Sequence, residues 1–162
     1  MSVLTQGTEI FVLAPTAADP AVFEVLKVAC PTAFDPGSES ADDIDDTCLD
    51  ERDTRSIRAG LTSPGEASAT INTDPEMASH LRLFQLKKDK RKLLWAVGWS
   101  DGDAPPTVAP GEEDFVLPET RTWLIFQGTL ATFPFAFESN SVVQSAMTIK
   151  RSGPLEWVVK TT

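Results

Sequence analysis

The sequence contains few of the segments on which membrane insertion, export or disulfide bonding depends. Its longest apolar run, from Leu93 to Trp99, is interrupted by Gly98 and is far too short to cross a lipid bilayer. The first ten residues, MSVLTQGTEI, contain neither a basic nor an apolar segment, so we expect no signal peptide. The chain has two cysteines, Cys30 and Cys48, and without an export signal we expect them to be free thiols.

Residues that could carry out catalysis are also scarce. The single histidine, His80, falls on a predicted helix, where we expect it to border the hydrophobic core. Neither cysteine has a histidine near it in sequence, and no nucleophile elbow, phosphate loop or zinc-ligand spacing occurs. We therefore predict no catalytic, cofactor-binding or metal-binding residues. A hydrolase that uses paired carboxylates is the remaining enzymatic alternative, but most carboxylates fall in one loop that would not hold them in a fixed geometry.

The composition is that of one ordinary globular domain. Of 162 residues, 41% are hydrophobic and 23% are charged, which is enough apolar material for a real core. We therefore predict a single domain over residues 1–162. The formal net charge is −10, and this excess of negative charge argues against a general affinity for nucleic acid, because phosphates are repelled at long range.

One acidic segment carries most of that charge. Between Glu39 and Asp53 the chain has eight carboxylates and one arginine, a local net charge of −7. No apolar periodicity is visible over residues 35–56, which predicts a long, solvated and mobile loop. An EF-hand register from Asp43 puts Cys48 where glycine is needed and Thr54 where glutamate is needed, so the pattern does not favour calcium.

The remaining sequence predicts a mostly β protein with one helix. Apolar and β-branched runs predict strands at about residues 8–14, 22–29, 66–73, 92–100, 123–139 and 142–151, the last two joined by a turn at ESNS. A segment rich in Pro, Gly and acidic residues, 101–118, is predicted to be an extended excursion. This order indicates an α+β fold of two packed antiparallel sheets, a sandwich or barrel with one flanking α-helix.

The helix is predicted over residues 75–88. Asp74 is a good N-cap and is followed by proline at the first helical position. Met77, Leu81 and Phe84 recur at helical spacing, and we expect this stripe to pack on the core. The cations of KKDKRK (87–92) favour the negative end of the helix dipole, although a phosphate-binding patch is the alternative.

The order of these features resembles the major tail tube protein family of long-tailed, lambda-type bacteriophages. The resemblance runs over residues 8–154 and rests on four successive segments. These are VFEVLKVA; the acidic DDTCLDERDTR with RAGLTSPGEASATI; a helix that opens with an acid–proline step and contains LRLF; and LLWAVGWSDG with WLIFQGTLATFPFAFESNSVVQSAMTIKRSGP. The excursion at 101–118 is longer than the short turn expected there.

The resemblance implies a structural virion protein rather than an enzyme. It implies that six copies close into a ring, that rings stack into the tail tube, and that DNA leaves through the channel without specific binding. It further implies assembly in the host cytoplasm, a place in the virion tail, and tape-measure, tail-terminator and baseplate proteins as partners. Neither a cofactor nor a membrane is implied.

In this family the long loop between the second and third predicted strands reaches a neighbouring ring. Opposite charges suggest that the acidic loop of one subunit meets the segment Arg82–Lys92, of net charge +5, on the next. The predicted interface residues are Asp42, Asp43, Asp45, Asp46, Leu49, Asp50, Arg52, Asp53, Arg55, Lys87, Lys88, Lys90 and Arg91. The alternatives are a tail-terminator or distal-tail protein of the same fold, or a soluble β-sandwich that binds a small ligand.

Overall fold

The computed structural model describes residues 2–111 and 113–161, and this part of the chain folds into twelve strands and one helix. All strand pairings are antiparallel, which confirms the predicted fold class. The elements are β1 Glu9–Pro15, β2 Phe23–Lys27, β3 Pro31–Asp35, β4 Ser40–Asp45, β5 Ile57–Ser63, β6 Glu66–Asn72, α1 Ala78–Asp89, β7 Lys92–Gly98, β8 Thr107–Val108, β9 Phe115–Val116, β10 Trp123–Thr132, β11 Gln144–Arg151 and β12 Glu156–Val158.

The main sheet is strongly curved. Its strand order is β2-β1-β7-β10-β11-β6-β3, and β12 extends the β11 side by pairing with the first part of β10. Phe34 on β3 stacks on Phe126 on β10 with ring centroids 6.1 Å apart. In a flat sheet these two strands would lie about 14 Å apart. The sheet therefore curls over so that its two halves face each other around the core.

The larger core lies inside this curl and beneath α1. Strict alternation on β6 sends Ala67, Ala69 and Ile71 inward, where they meet buried side chains from β1, β7, β10 and β11. Trp95 on β7 is fully buried, and its indole N–H donates to the carbonyl of Gly128, 3.2 Å away. This core fixes the positions of the strands whose outer faces and ends are described below.

The helix differs from its prediction in both its start and its buried face. It begins at Ala78, after a turn in which the Asp74 carboxylate accepts from the backbone N–H of Glu76, so Asp74 is not the N-cap. Its fully buried residues are His80, Leu83 and Leu86, whereas Met77 and Leu81 are exposed and Phe84 is half-buried. The prediction that the Met77–Leu81–Phe84 stripe packs on the core is therefore wrong for Met77 and Leu81, whereas Phe84 does pack against the edge of the core. The end of the helix is as predicted, with Lys87 and Lys88 in the last turn.

The acidic segment also differs from its prediction. Instead of an irregular loop over 35–56, residues 40–45 form β4 and pair with β5 in a hairpin. This strand lacked a sequence signal because all six of its residues are exposed, so no inward-facing apolar alternation marks it. Pairing with β5 holds this strand extended, and the irregular part of the predicted loop shrinks to residues 36–39 and to the tip at 46–56.

The segment at 101–118 covers the outer face of the sheet. Its two short strands, β8 and β9, pair with each other and place Phe115 in a second core with Phe11, Leu13 and Trp123. The predicted excursion is thus a lid over apolar side chains that alternation sends away from the larger core. Farther along the chain, β10 ends at Thr132 rather than continuing to 139, and a turn at Ser139–Asn140 lies where ESNS predicted one.

Candidate assembly surfaces

The acidic hairpin, residues 40–63, stands away from the body of the subunit. In β4 all residues are exposed, and in β5 all but the half-buried Gly60 are exposed. A strand that is exposed on both faces packs against nothing but its partner strand. Such a two-stranded ribbon is marginally stable in water by itself, so its base must be held by the rest of the chain.

The base of the hairpin is held by two glycines and one buried ion pair. Gly37 and Gly65 both have positive φ, and a Cβ on Gly37 would lie 2.0 Å from the carbonyl oxygen of Glu66, so the two chain segments cross too closely for a side chain. Arg151, whose side chain is fully buried, donates to Glu39 at 2.5 Å and to the carbonyl of Pro36 at 2.7 Å. The hairpin is therefore fixed to the end of β11.

Two of the acidic residues are paired within the hairpin. Arg55 lies 2.9 Å from Asp45, and Arg58 lies 2.6 Å from Asp46. Hydrogen bonds from the side chain and backbone of Thr47, followed by that from Arg55, hold the pKa of Asp45 below its ordinary value. Arg55, predicted to face another subunit, thus has a partner in its own hairpin. Within the described chain, Asp42, Asp43, Asp50, Glu51 and Asp53 form no ion pair.

The tip of the hairpin presents an apolar side chain among acidic ones. Leu49 is fully exposed. It is followed by Asp50 and by Glu51, whose carboxylate accepts from the backbone N–H groups of Arg52 and Asp53 and so closes the tip. A fully exposed leucine costs solvation free energy unless another surface covers it.

The predicted basic residues separate into two groups. Lys87 and Lys88 lie over the ring of Phe84, with their Nζ atoms 5.5 and 4.8 Å from its centroid. Lys90 ends the helix in the left-handed conformation, and its N–H donates to the carbonyl of Leu86. Arg91 points elsewhere, 3.5 Å from Glu113 and over the ring of Phe23. No ion pair among the described residues joins either group to the acidic hairpin.

An apolar pocket opens beside the first of these groups. It has a volume of about 310 Å³ and lies between α1 and the connection from β10 to β11. Its lining residues include Leu81, Phe84, Phe133, Phe135, Phe137 and Val143. Phe137 is 78% exposed and Leu81 is 55% exposed, so the pocket faces solvent. Sequence reasoning missed it, although the alternation in FPFAF (133–137) was its available signal.

The hairpin and the pocket lie at opposite ends of the same two strands. The ends of β6 and β11 near Glu66 and Arg151 border the base of the hairpin, whereas Thr73 and Val143, just beyond the other ends, line the pocket. Six residues of β-strand separate Glu66 from Asn72, which is about 20 Å. The base of the hairpin and the pocket are therefore separate surfaces of one subunit, at opposite ends of β6 and β11.

The outer face of β6 and β11 is small, polar and uncharged over most of its length. Directly opposite pairs on this face are Ser68 with Thr148, Thr70 with Ala146, and Asn72 with Gln144. The side-chain amide of Gln144 donates to Asn72 at 3.1 Å. Glu66 and Lys150 form the charged pair at one end. The period-two pattern of EASATIN and QSAMTIKR was the signal for this face, but the sequence did not show which side of the sheet would be open.

His80 is a structural residue, as predicted. Its Nδ1 accepts from the backbone N–H of Asp74 at 2.9 Å, and its Nε2 lies 2.8 Å from the carbonyl of Ala29. Among the described residues, no group of three or more His, Cys, Asp or Glu side chains is arranged to hold a metal ion. Cys30 and Cys48 are exposed free cysteines. In residues 2–111 and 113–161 no helix is long and apolar enough to cross a membrane.

The N-terminal strand is fixed by a second buried arginine. Arg121 donates to Glu9 at 2.7 Å and to the carbonyls of Gly7, Gly98 and Trp99. Burial alone would raise the pKa of Glu9, but hydrogen bonds from Lys27 and Arg121 outweigh it and lower the pKa. This cluster is structural, since each of the three guanidinium nitrogens of Arg121 donates a hydrogen bond within the fold.

Comparisons with known proteins agree with this architecture. The chain is 40% identical to Structural protein 3 of Pseudomonas phage PAJU2, over 99% of this chain and 96% of that protein. Its fold matches the SPP1 tail tube with a TM-score of 0.63 at 5% identity, covering 99% of this chain and 81% of the other. It also matches the tail of a gene transfer agent particle with a TM-score of 0.61 at 16% identity, covering 96% and 98%.

The family comparison extends over the same length. Residues 1–161 match the model of the phage tail tube family described as TTP, lambda-like. The curled antiparallel sheet and the one helix of the described residues agree with the fold of this family. The chain therefore belongs to the lambda-like phage tail tube protein family, and it is a structural subunit of the virion tail.

Proposed function

We propose that six copies of this chain close into a ring, that rings stack head to tail into the tail tube, and that the outer face of β6 and β11 lines its channel. The single observation that carries this proposal is the chemistry of that face. Its central pairs are uncharged and mostly polar, in a protein whose net charge is −10. A basic lining would hold DNA by counterion release, whereas this face offers phosphate no cation along most of its length.

The number six has its own support. The similar gene transfer agent tail was determined with C6 symmetry. Closure of the channel also needs open strand edges, and β3 is the terminal strand of the main sheet, with one edge free to pair. Adding a neighbour's strand at that edge satisfies backbone groups that otherwise face water, and it extends one sheet around the ring.

Stacking uses the acidic hairpin and the Lys87–Lys88 end of α1. The acidic residues lie on the stem and tip of the hairpin, whereas Lys87 and Lys88 lie over Phe84, which lines the apolar pocket, so the opposite charges belong to two separate surfaces of the subunit. The pairs are exposed, so each contributes only about 0–1 kcal/mol, but a ring repeats them. Arg91 has a different role, since it binds Glu113 of its own chain.

The subunit acts without catalysis and as one domain. Both ring nitrogens of its single histidine contact backbone groups. The partners are other copies of the chain within and between rings, and tape-measure, tail-terminator and baseplate proteins at the axis and ends of the tube. Assembly takes place in the host cytoplasm.

Electron microscopy of the purified protein at increasing concentration tests this function. We expect rings with six-fold averages and, at higher concentration, tubes. Rings that never stack would indicate a tail-terminator or distal-tail protein of the same fold. A protein that stays monomeric at every concentration would contradict the proposal and favour a ligand-binding module.

A further inference from the structure

We propose that Leu49, at the tip of the acidic hairpin, inserts into the apolar pocket between α1 and the β10–β11 connection of the next copy along the tube. This inference rests on the proposed head-to-tail stacking and identifies the contact that drives it. The occupant of the pocket is thus a second copy of this chain, and the occupying group is one side chain on a charged tip.

The pocket is suited to an apolar side chain. Phe84 packs against Phe133 and Phe135 with ring centroids 6.2 and 5.9 Å apart, so three aromatic rings form its floor and wall. Leu81 and Phe137 stand at its rim with more than half of their surface in water. A pocket of about 310 Å³ is large enough for a leucine side chain and part of the backbone that carries it. Filling it would remove these exposed apolar surfaces from water.

The hairpin tip carries the complementary group. Leu49 is fully exposed, and its neighbours Asp50 and Glu51 are acidic. Beside the pocket, the ammonium groups of Lys87 and Lys88 lie over the ring of Phe84, and Lys88 is exposed. In the proposed contact, the apolar Leu49 side chain (the knob), which is bordered by carboxylates, enters an apolar pocket that is bordered by ammonium groups. Charge of this kind sets the orientation of a contact whose affinity comes from the buried apolar centre.

Among the described residues, Leu49 is fully exposed and does not line the pocket of its own chain, so the proposed contact joins two copies. The hairpin base and the pocket lie at opposite ends of β6 and β11, about 20 Å apart, and every residue of β4 is exposed. When identical subunits stack in one direction, the hairpin end of each meets the pocket end of the next. Because this contact joins two different surfaces of identical subunits, the same two surfaces can form it at every junction along the tube.

Crosslinking in assembled tubes tests the contact directly. In a Cys30→Ser background, Leu81→Cys places a thiol at the pocket rim while the native Cys48 stays beside Leu49. Each copy then has one thiol at the tip and one at the pocket. With a short bismaleimide we expect a ladder of linked subunits on a denaturing gel. Variants that keep only one of these thiols should give dimers at most.

Substitution of the knob tests its energetic role. Leu49→Ser should leave the melting temperature unchanged, because this side chain touches nothing in the monomer, and should raise the concentration needed for stacking at least about tenfold, or about 1.4 kcal/mol per contact. Leu61→Ser is the matched control, since Leu61 is 88% exposed on the hairpin stem, and it should stack like wild type.

The outcomes separate this contact from the proposed function. Tubes of the Cys30→Ser, Leu81→Cys protein that give no ladder, or Leu49→Ser tubes that form at the wild-type concentration, would overturn the contact and leave the tube assembly intact. Wild-type protein that forms neither rings nor tubes would overturn both. A ladder together with loss of stacking in Leu49→Ser alone supports the contact.

Discussion

Arg151 donates a hydrogen bond of 2.5 Å to Glu39 and thereby joins the last residue of β11 to the start of the acidic hairpin. The arginine side chain is fully buried, whereas the glutamate side chain is 35% exposed. The backbone N–H of Leu155 donates to the same carboxylate oxygen. One carboxylate of the acidic segment is therefore neutralised by a buried arginine in the body of the subunit.

Glu39→Gln should destabilise the subunit by about 1–3 kcal/mol, because it leaves the buried charge of Arg151 without a counter-charge. The partial exposure of Glu39 keeps this cost below that of a fully buried pair. Thermal unfolding measures it. Asp43→Asn, which neutralises an unpaired carboxylate on the same hairpin, is the control and should unfold at the wild-type temperature. Equal melting temperatures for the two variants would contradict the structural role of Glu39.

The stability of the fold should fall in acid through Glu9. Its pKa is lowered in the folded state, so its stabilising effect is complete above its ordinary pKa and is lost as the pH falls through the lowered value. We expect Glu9→Gln to be less stable than wild type at about pH 6, and the difference to shrink as the pH falls below the ordinary pKa of glutamate. Urea unfolding across this range measures the difference. A pH-independent difference would show that the carboxylate charge is not involved.

The helix offers a paired test of which face is buried. Leu83 is fully buried and Leu81 is 55% exposed, although the two are nearly adjacent in sequence. Leu83→Ala should cost about 2–5 kcal/mol, because it opens a cavity in the core. Leu81→Ala should change the free energy of unfolding by less than about 1 kcal/mol. Chemical denaturation of both variants decides the matter, and a larger loss at Leu81 would reverse the assignment.

Charge on the hairpin stem should act on stacking rather than on folding. Neutralising Asp42, Asp43, Asp45 and Asp46 to Asn should give a soluble, folded protein that forms rings but stacks poorly, since the local attraction between rings is lost. The matched control neutralises Glu24, Asp103, Glu138 and Glu156, which changes the net charge equally at other exposed sites. If both variants formed tubes equally well, the stem carboxylates would serve general repulsion or solubility only. Tube lengths in electron micrographs provide the comparison.

The main strands were predictable because their apolar residues carry a clear signal. β1, β2, β6, β7, β10 and β11 each contain apolar or alternating runs that the core requires. β4 carries no such signal, since Asp42, Asp43 and Asp45 are poor strand formers that only the pairing with β5 holds extended. Its partner β5 and the short β3, β8, β9 and β12 were missed as well.

The buried face of the helix was not predictable from spacing alone. Met77, Leu81 and Phe84 share helical spacing, and so do His80 and Leu83, with Leu86 three residues farther on. In the folded protein the second set is buried. His80 can occupy a buried position because its two ring nitrogens contact backbone groups of Asp74 and Ala29. Leu81 and Phe84, from the first set, do not enter the core and instead line the pocket.

In the proposed head-to-tail stacking, the hairpin of each subunit meets the pocket of the next, so the contacts between rings do not end the growth of the tube. Every added ring presents the same unsatisfied surface that the previous ring presented, so subunit contacts alone determine no length. A tube of defined length therefore needs another molecule that determines where assembly stops. Its two ends also differ chemically, one bearing acidic tips and the other apolar pockets, so each end requires a different capping protein.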